Sequence, residues 1–126
     1  MLKELSMQTL TLDFPRNARR VYTAVKHVFE TRTRFRNIKC DDDHFFVEAR
    51  RGCQISPMSE NVRIRVVATG MESSRVTIES SSRSVLNLLN IRANMKNVTN
   101  LSVFIQNEVW KLVNDAEIKL KTEMYT

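Results

Sequence analysis

A chain of 126 residues with 42% hydrophobic side chains can fill one core and is too short for several. Two glycines and two prolines exclude collagen-like repeats and long flexible linkers. The net charge of +6 favours encounters with nucleic acid, acidic lipid or acidic protein faces without choosing among them. No apolar run approaches the roughly 20 residues of a membrane helix. The opening Met1-Leu2-Lys3-Glu4-Leu5-Ser6 lacks the apolar stretch of a secretory signal. Cys40 and Cys53 are too few for a disulfide framework and read as free thiols in a reducing cytoplasm. The expectation is one cytoplasmic domain over residues 1–126.

The first element is a half-buried strand, where Leu10, Leu12 and Phe14 alternate with Thr9, Thr11 and Asp13. Pro15 ends it and suits an early helical position, with Asp13 near enough to cap. Ala18, Val21, Tyr22, Val25, Val28 and Phe29 then follow helical spacing, predicting an amphipathic helix from Arg16 to about Thr31. Arg16, Arg19, Arg20, Lys26 and Glu30 fall on its other face.

Thr33 to Cys40 is polar but compatible with a strand, and Asp41-Asp42-Asp43 supplies a turn. Phe45, Val47 and Ala49 next alternate with Phe46, Glu48 and Arg50, and Gly52 and Pro57 mark a break. The clearest strand carries Val62, Ile64, Val66 and Ala68 on one face and Arg63 and Arg65 on the other. Residues 69–73 read as a hairpin connection to a return strand with Val76 and Ile78 inward. Ser80 to Asn94 reads as a loop packed on the core through Val85, Leu86, Leu88, Leu89 and Ile91. Val98, Leu101, Ile105, Val109, Leu112, Ala116 and Leu120 then recur every three or four residues, the stripe of a long C-terminal helix. The fold class is α+β: an antiparallel sheet of about five strands in the order β-α-β-β-β-β-α.

Three segments resemble a family of small bacterial domains with the helix-grip, TATA-binding-protein-like arrangement. The first is a strand running into a Pro-initiated helix, Asp13-Phe14-Pro15-Arg16-Asn17-Ala18. The second is Ser59-Glu60-Asn61-Val62-Arg63-Ile64, where the family often shows Trp-Gly-Glu-Asn-Val-x-Ile. The third is Asn90-Ile91-Arg92-Ala93-Asn94-Met95-Lys96-Asn97-Val98, where it tends to show Asp-Trp-Gly-Lys-Asn-x-x-Asn-Val. This chain departs at Met58 and Ser59, in place of Trp-Gly, and at Arg92, in place of Gly. Members of the family are largely uncharacterised, so the resemblance implies a fold and carries no catalytic residue across. By analogy with helix-grip domains it implies a ligand held between sheet and long helix, or an interaction module.

Candidate chemistry is sparse. Asp41-Asp42-Asp43-His44 has metal-ligand residue types, but neighbours on a turn diverge and no second acidic cluster completes a shell. It reads as a solvated hairpin turn, and no metal site or cofactor is implied. His27 has no nucleophile tied to it by motif and reads as a surface side chain. Trp110 lies one position off the long helix's stripe, sealing the edge of the core, lining a ligand pocket with Leu86 and Leu89, or making a dimer contact. The pleat would place Arg34, Arg36, Phe46, Arg50, Arg63, Arg65 and Arg75 together on the sheet face away from the helices. There Arg34, Arg36, Phe46, Arg63 and Arg65 are the anion-binding candidates. Glu48 and Glu79 interrupt that face and can pair with its arginines.

The expected function is therefore a non-enzymatic domain binding a protein partner or a small apolar ligand between sheet and long helix. An enzyme is disfavoured because no nucleophile–base or paired-carboxylate set can be assembled. The alternative is nucleic-acid or polyanion binding through the arginine face. Homo-oligomerisation is left open.

Overall fold

The computed structural model describes residues 7–51, 60–82 and 88–125, with side chains over 7–51, 60–82 and 91–111. Five strands form one antiparallel sheet: β1 (Gln8–Phe14), β2 (Arg36–Asp41), β3 (Phe46–Arg51), β4 (Glu60–Gly70) and β5 (Ser73–Ser82). Their spatial order is β1-β5-β4-β3-β2, so the first strand joins the last and the three middle connections are hairpin-like neighbours. The helices are α1 (Ala18–Thr31) and α2 (Leu88–Tyr125).

Alternation in the sequence sets the two faces of the sheet. Ile64 lies opposite Ile78, and Val66 opposite Val76, while Arg63 lies opposite Glu79 and Arg65 opposite Thr77. Val62, Ile64, Val66, Val76 and Ile78 are all buried, and Arg63 and Arg65 are exposed, as the period of two requires. The inward face packs against Val21, Val25, Val28 and Phe29 of α1 and Val98, Leu101, Ile105 and Val109 of α2. The helices also pack on each other, which closes the core. Leu112, Ala116 and Leu120 lie within α2, but their side chains fall outside the described residues.

Two boundaries differ from the sequence expectation. Helix α1 begins at Ala18, not Arg16, and its cap is Asn17, whose Oδ1 accepts from the Arg19 N–H at 2.9 Å. Asp13 cannot cap because it is still in β1, where it pairs with Arg75 at 2.8 Å. The Asn17 amide also donates to the Met71 carbonyl at 3.0 Å, tying the helix start to the β4–β5 turn. Helix α2 begins at Leu88, so residues 88–94, expected in a loop, are helical.

The β2–β3 turn is built by its own aspartates. Asp41 Oδ1 accepts from the backbone N–H groups of Asp43 and His44 at 3.2 and 3.3 Å. Asp42 accepts from the Tyr22 hydroxyl at 2.7 Å and from Lys26 at 3.1 Å, fastening the turn to α1. Phe45 adopts a left-handed φ of 51°, a conformation that disfavours a bulky side chain. Its ring stacks on Tyr22 at 5.0 Å, and its carbonyl accepts from the Val66 N–H, which holds the strained residue in place. Among the described residues no helix is long and apolar enough to cross a membrane.

Candidate functional site

At the end of the sheet where β4 starts and β5 finishes, the buried face turns from apolar to polar. Ser80, Asn94, Asn97 and Glu60 are all under 10% exposed, in space otherwise filled by valine and isoleucine. They satisfy one another. Ser80 donates to Asn94 Oδ1 at 2.7 Å, and the Asn94 amide donates to Ser82 at 2.9 Å. The Asn97 amide donates to Glu60 at 3.3 Å and Ser80 at 3.2 Å, while Asn97 Oδ1 accepts from Arg51 at 2.9 Å. Burial pushes the Glu60 carboxyl above the usual range, opposed by the Asn97 hydrogen bond and the nearby Arg51 charge. The second and third resemblance segments supply Glu60, Asn94 and Asn97, so what they share in space is this network.

Beside the network lies a cleft of about 150 Å³ between the segment following α1, the end of β3 and one face of α2. Phe35, Leu101 and Phe104 form its apolar wall, and Arg32, Arg34 and Arg51 bring positive charge to it. Thr33, Asn97 and Asn100 complete the lining. Phe35 is steadied by an edge contact with Phe29 at 5.5 Å. Arg51 is half-buried and oriented by Asn97, whereas Arg32 and Arg34 are exposed.

A second, shallower groove of about 320 Å³ crosses the open sheet face. It brings together Phe46, Arg63 and Arg65 of the predicted anion-binding set, with Glu48, Thr77 and Glu79 among them. Arg65 lies over the Phe46 ring at 5.5 Å, and Arg63 pairs with Glu48 at 3.7 Å. Arg36 sits farther along the sheet, opposite Arg50 on the edge strand β2. Arg34 is not among the residues that line this groove. It precedes the first residue of β2, where strand alternation does not yet apply, and it lines the cleft with Leu101 and Phe104 instead.

Of the predicted pocket residues, Trp110 is 47% exposed, with the Arg16 guanidinium 5.6 Å from its ring centre. Leu86 and the Leu89 side chain lie outside the described residues. His27 reaches across to α2, its Nε2 lying 3.4 Å from the carboxylate of Glu108, which is itself buried. No signal local to either residue announces that pairing. Among the described residues no cluster of three or more His, Cys, Asp or Glu side chains could hold a metal ion.

No family model matches the chain, and no curated protein matches it by sequence. Solved structures do match in fold. The di-domain aromatase/cyclase BexL from the BE-7585A biosynthetic pathway aligns with a TM-score of 0.65 at 12% identity, over 86% of this chain. The chain spans about half of that protein, 47% of its length. A START superfamily protein from Mycobacterium smegmatis aligns at 0.60 and 9% identity, over 84% of this chain and 98% of its own. Norcoclaurine synthase from Thalictrum flavum aligns at 0.56 and 12% identity, over 91% and 92% of the two chains. At these identities the likeness is one of fold, and the fold is the helix-grip, START-like one. The expectation that the chain is not an enzyme needs correcting. It rested on the lack of a catalytic motif in the sequence, and the same scaffold is that of an aromatase/cyclase and of norcoclaurine synthase.

Proposed function

We propose that this chain is a ligand-binding domain that takes a small, largely apolar molecule on the helix side of the sheet, in the cleft walled by Phe35, Leu101 and Phe104. The single observation that carries the reading is that cleft, where aromatic and aliphatic walls meet a few oriented polar groups. Support comes also from neighbours of the same fold, one of them norcoclaurine synthase in complex with dopamine and hydroxybenzaldehyde. The cleft's centre on α2 is Leu101, roughly 13 Å along the helix axis from Trp110. The ligand position read from the sequence thus moves toward the start of the helix. A bacterial, cytoplasmic setting belongs to the same proposal.

A nuclear magnetic resonance screen with small apolar compounds tests it. Shift changes should cluster at Phe35, Asn100, Leu101 and Phe104. Asn100→Trp, which places a large ring in the cleft from a half-exposed position, should abolish them. Undiminished binding in that variant, or shifts confined to other surfaces, would sink the reading.

A further inference from the structure

We infer that the cleft selects a small organic acid: one carboxylate held by Arg32, Arg34 and Arg51, on an apolar body the size of a single ring. This rests on the ligand-binding reading and gives it a ligand class.

Size sets the first limit. About 150 Å³ is well below the roughly 300 Å³ at which drug-sized sites begin, and close to cavities that admit benzene. One ring and one small substituent fill it.

Charge sets the second. Three guanidinium groups line this small space, and among the described residues none of them makes an ion pair. Glu60 lies opposite Arg51 and its charge couples to that guanidinium, so Arg51 is partly balanced, while Arg32 and Arg34 have no ion pair among the described residues. A neutral ligand would leave the arginine donors at this cleft to water, whereas an anion accepts charge-assisted hydrogen bonds from them. Arg51 is suited to orient it, because one of its N–H groups is already fixed on Asn97 and the remaining donors keep the planar fork that matches a carboxylate. Phe35, Leu101 and Phe104 then take the apolar end, which an inorganic anion would leave unused.

The experiment titrates benzoate, its neutral isostere benzamide, and inorganic phosphate into the full chain, following amide and side-chain shifts. The same titrations are run on the double variant Arg32→Gln/Arg34→Gln, whose side chains are exposed, so the fold is expected to persist. Affinity for a nine-atom probe should be on the order of millimolar. Benzoate should bind about tenfold more tightly than benzamide, and the double variant should lose about tenfold for benzoate alone. Equal binding of benzoate and benzamide would overturn selection of an acid while leaving the ligand-binding reading standing. Binding of neither would overturn both. Phosphate giving the shifts of benzoate would mark an inorganic anion site and overturn the ligand class. A benzoate preference that survives the double variant would overturn the arginine assignment.

Discussion

Glu60 is a carboxylate placed where a valine would be cheaper. Its 7% exposure raises its pKa, and the Asn97 hydrogen bond and Arg51 charge recover part of the desolvation cost. A carboxyl whose pKa is raised by folding binds its proton more tightly in the folded chain. That contribution to stability is complete below the ordinary glutamate range and is lost as pH rises through the raised value. Asp41 and Asp42 work in the opposite sense, since hydrogen bonds from His44 and Tyr22 lower theirs. Glu60→Gln isolates the first contribution. The melting temperature of the variant relative to wild type should climb in the variant's favour from about pH 4 to about pH 7. A flat or falling difference would mean that Glu60 is not held at a cost in the folded state. The sequence could not show this, because the burial of Glu60 depends on α2 coming down from more than thirty residues away, as the Glu60–Asn97 bond does.

At the scale of elements, the strands other than β2, which is exposed throughout, and the apolar half of each helix were legible because burial there follows a fixed period. The start of α2 was not. Its inward positions include Asn94 and Asn97, which break an apolar stripe when read along the chain. In space they are inward-facing like Val98 and Leu101, and their polarity is satisfied by Ser80, Ser82, Glu60 and Arg51 from three different strands. Linear periodicity registers the polar residue and misses its partner. The cleft was hidden for the same reason. Phe104 and Arg51 gave no motif, and Arg34, which strand parity groups with the sheet-face arginines, precedes β2 and lines the cleft. Two substitutions separate the polar and apolar parts of the α2 interface. Asn94→Ala should cost about 1–3 kcal/mol by leaving the buried Ser80 O–H without the acceptor it donates to. Ile105→Ala, at a fully buried position under the middle of the helix, should cost about 2–5 kcal/mol by opening a cavity. Chemical denaturation measures both. A loss near zero for Ile105→Ala would show that α2 does not pack on the core as described.

For the whole molecule, the question is whether a net charge of +6 makes the open sheet face a polyanion surface. Strand register answers it residue by residue. Arg63 has Glu79 on one neighbouring strand and Glu48 on the other, and it pairs with the latter. Arg75 has Asp13 opposite and pairs with it at 2.8 Å. Arg65 is spent on the Phe46 ring, the aromatic surface on which a base would have to stack. Arg63 and Arg75 are thus ion-paired on this face and Arg65 is stacked, while Arg36 and Arg50 lie opposite each other with no ion pair among the described residues. Phosphate binding draws its affinity from unpaired cations that displace the counterions condensed on the nucleic acid, and it weakens steeply with salt. One unpaired arginine couple at the edge, with Glu48 and Glu79 beside the rest, offers little of that, so micromolar protein should not shift single- or double-stranded oligonucleotides in anisotropy titrations at low salt. The variant Arg63→Glu/Arg65→Glu serves as the control. Both side chains are exposed, so the fold should persist, but reversal at position 63 sets a third carboxylate between Glu48 and Glu79 and should lower the melting temperature modestly. Tight, salt-sensitive binding by the wild type that the double reversal removes would restore the nucleic-acid reading and place it on this face. Binding that survives the reversal would have to come from another surface, and the exposed Arg19 and Arg20 on α1 are the first candidates to reverse next.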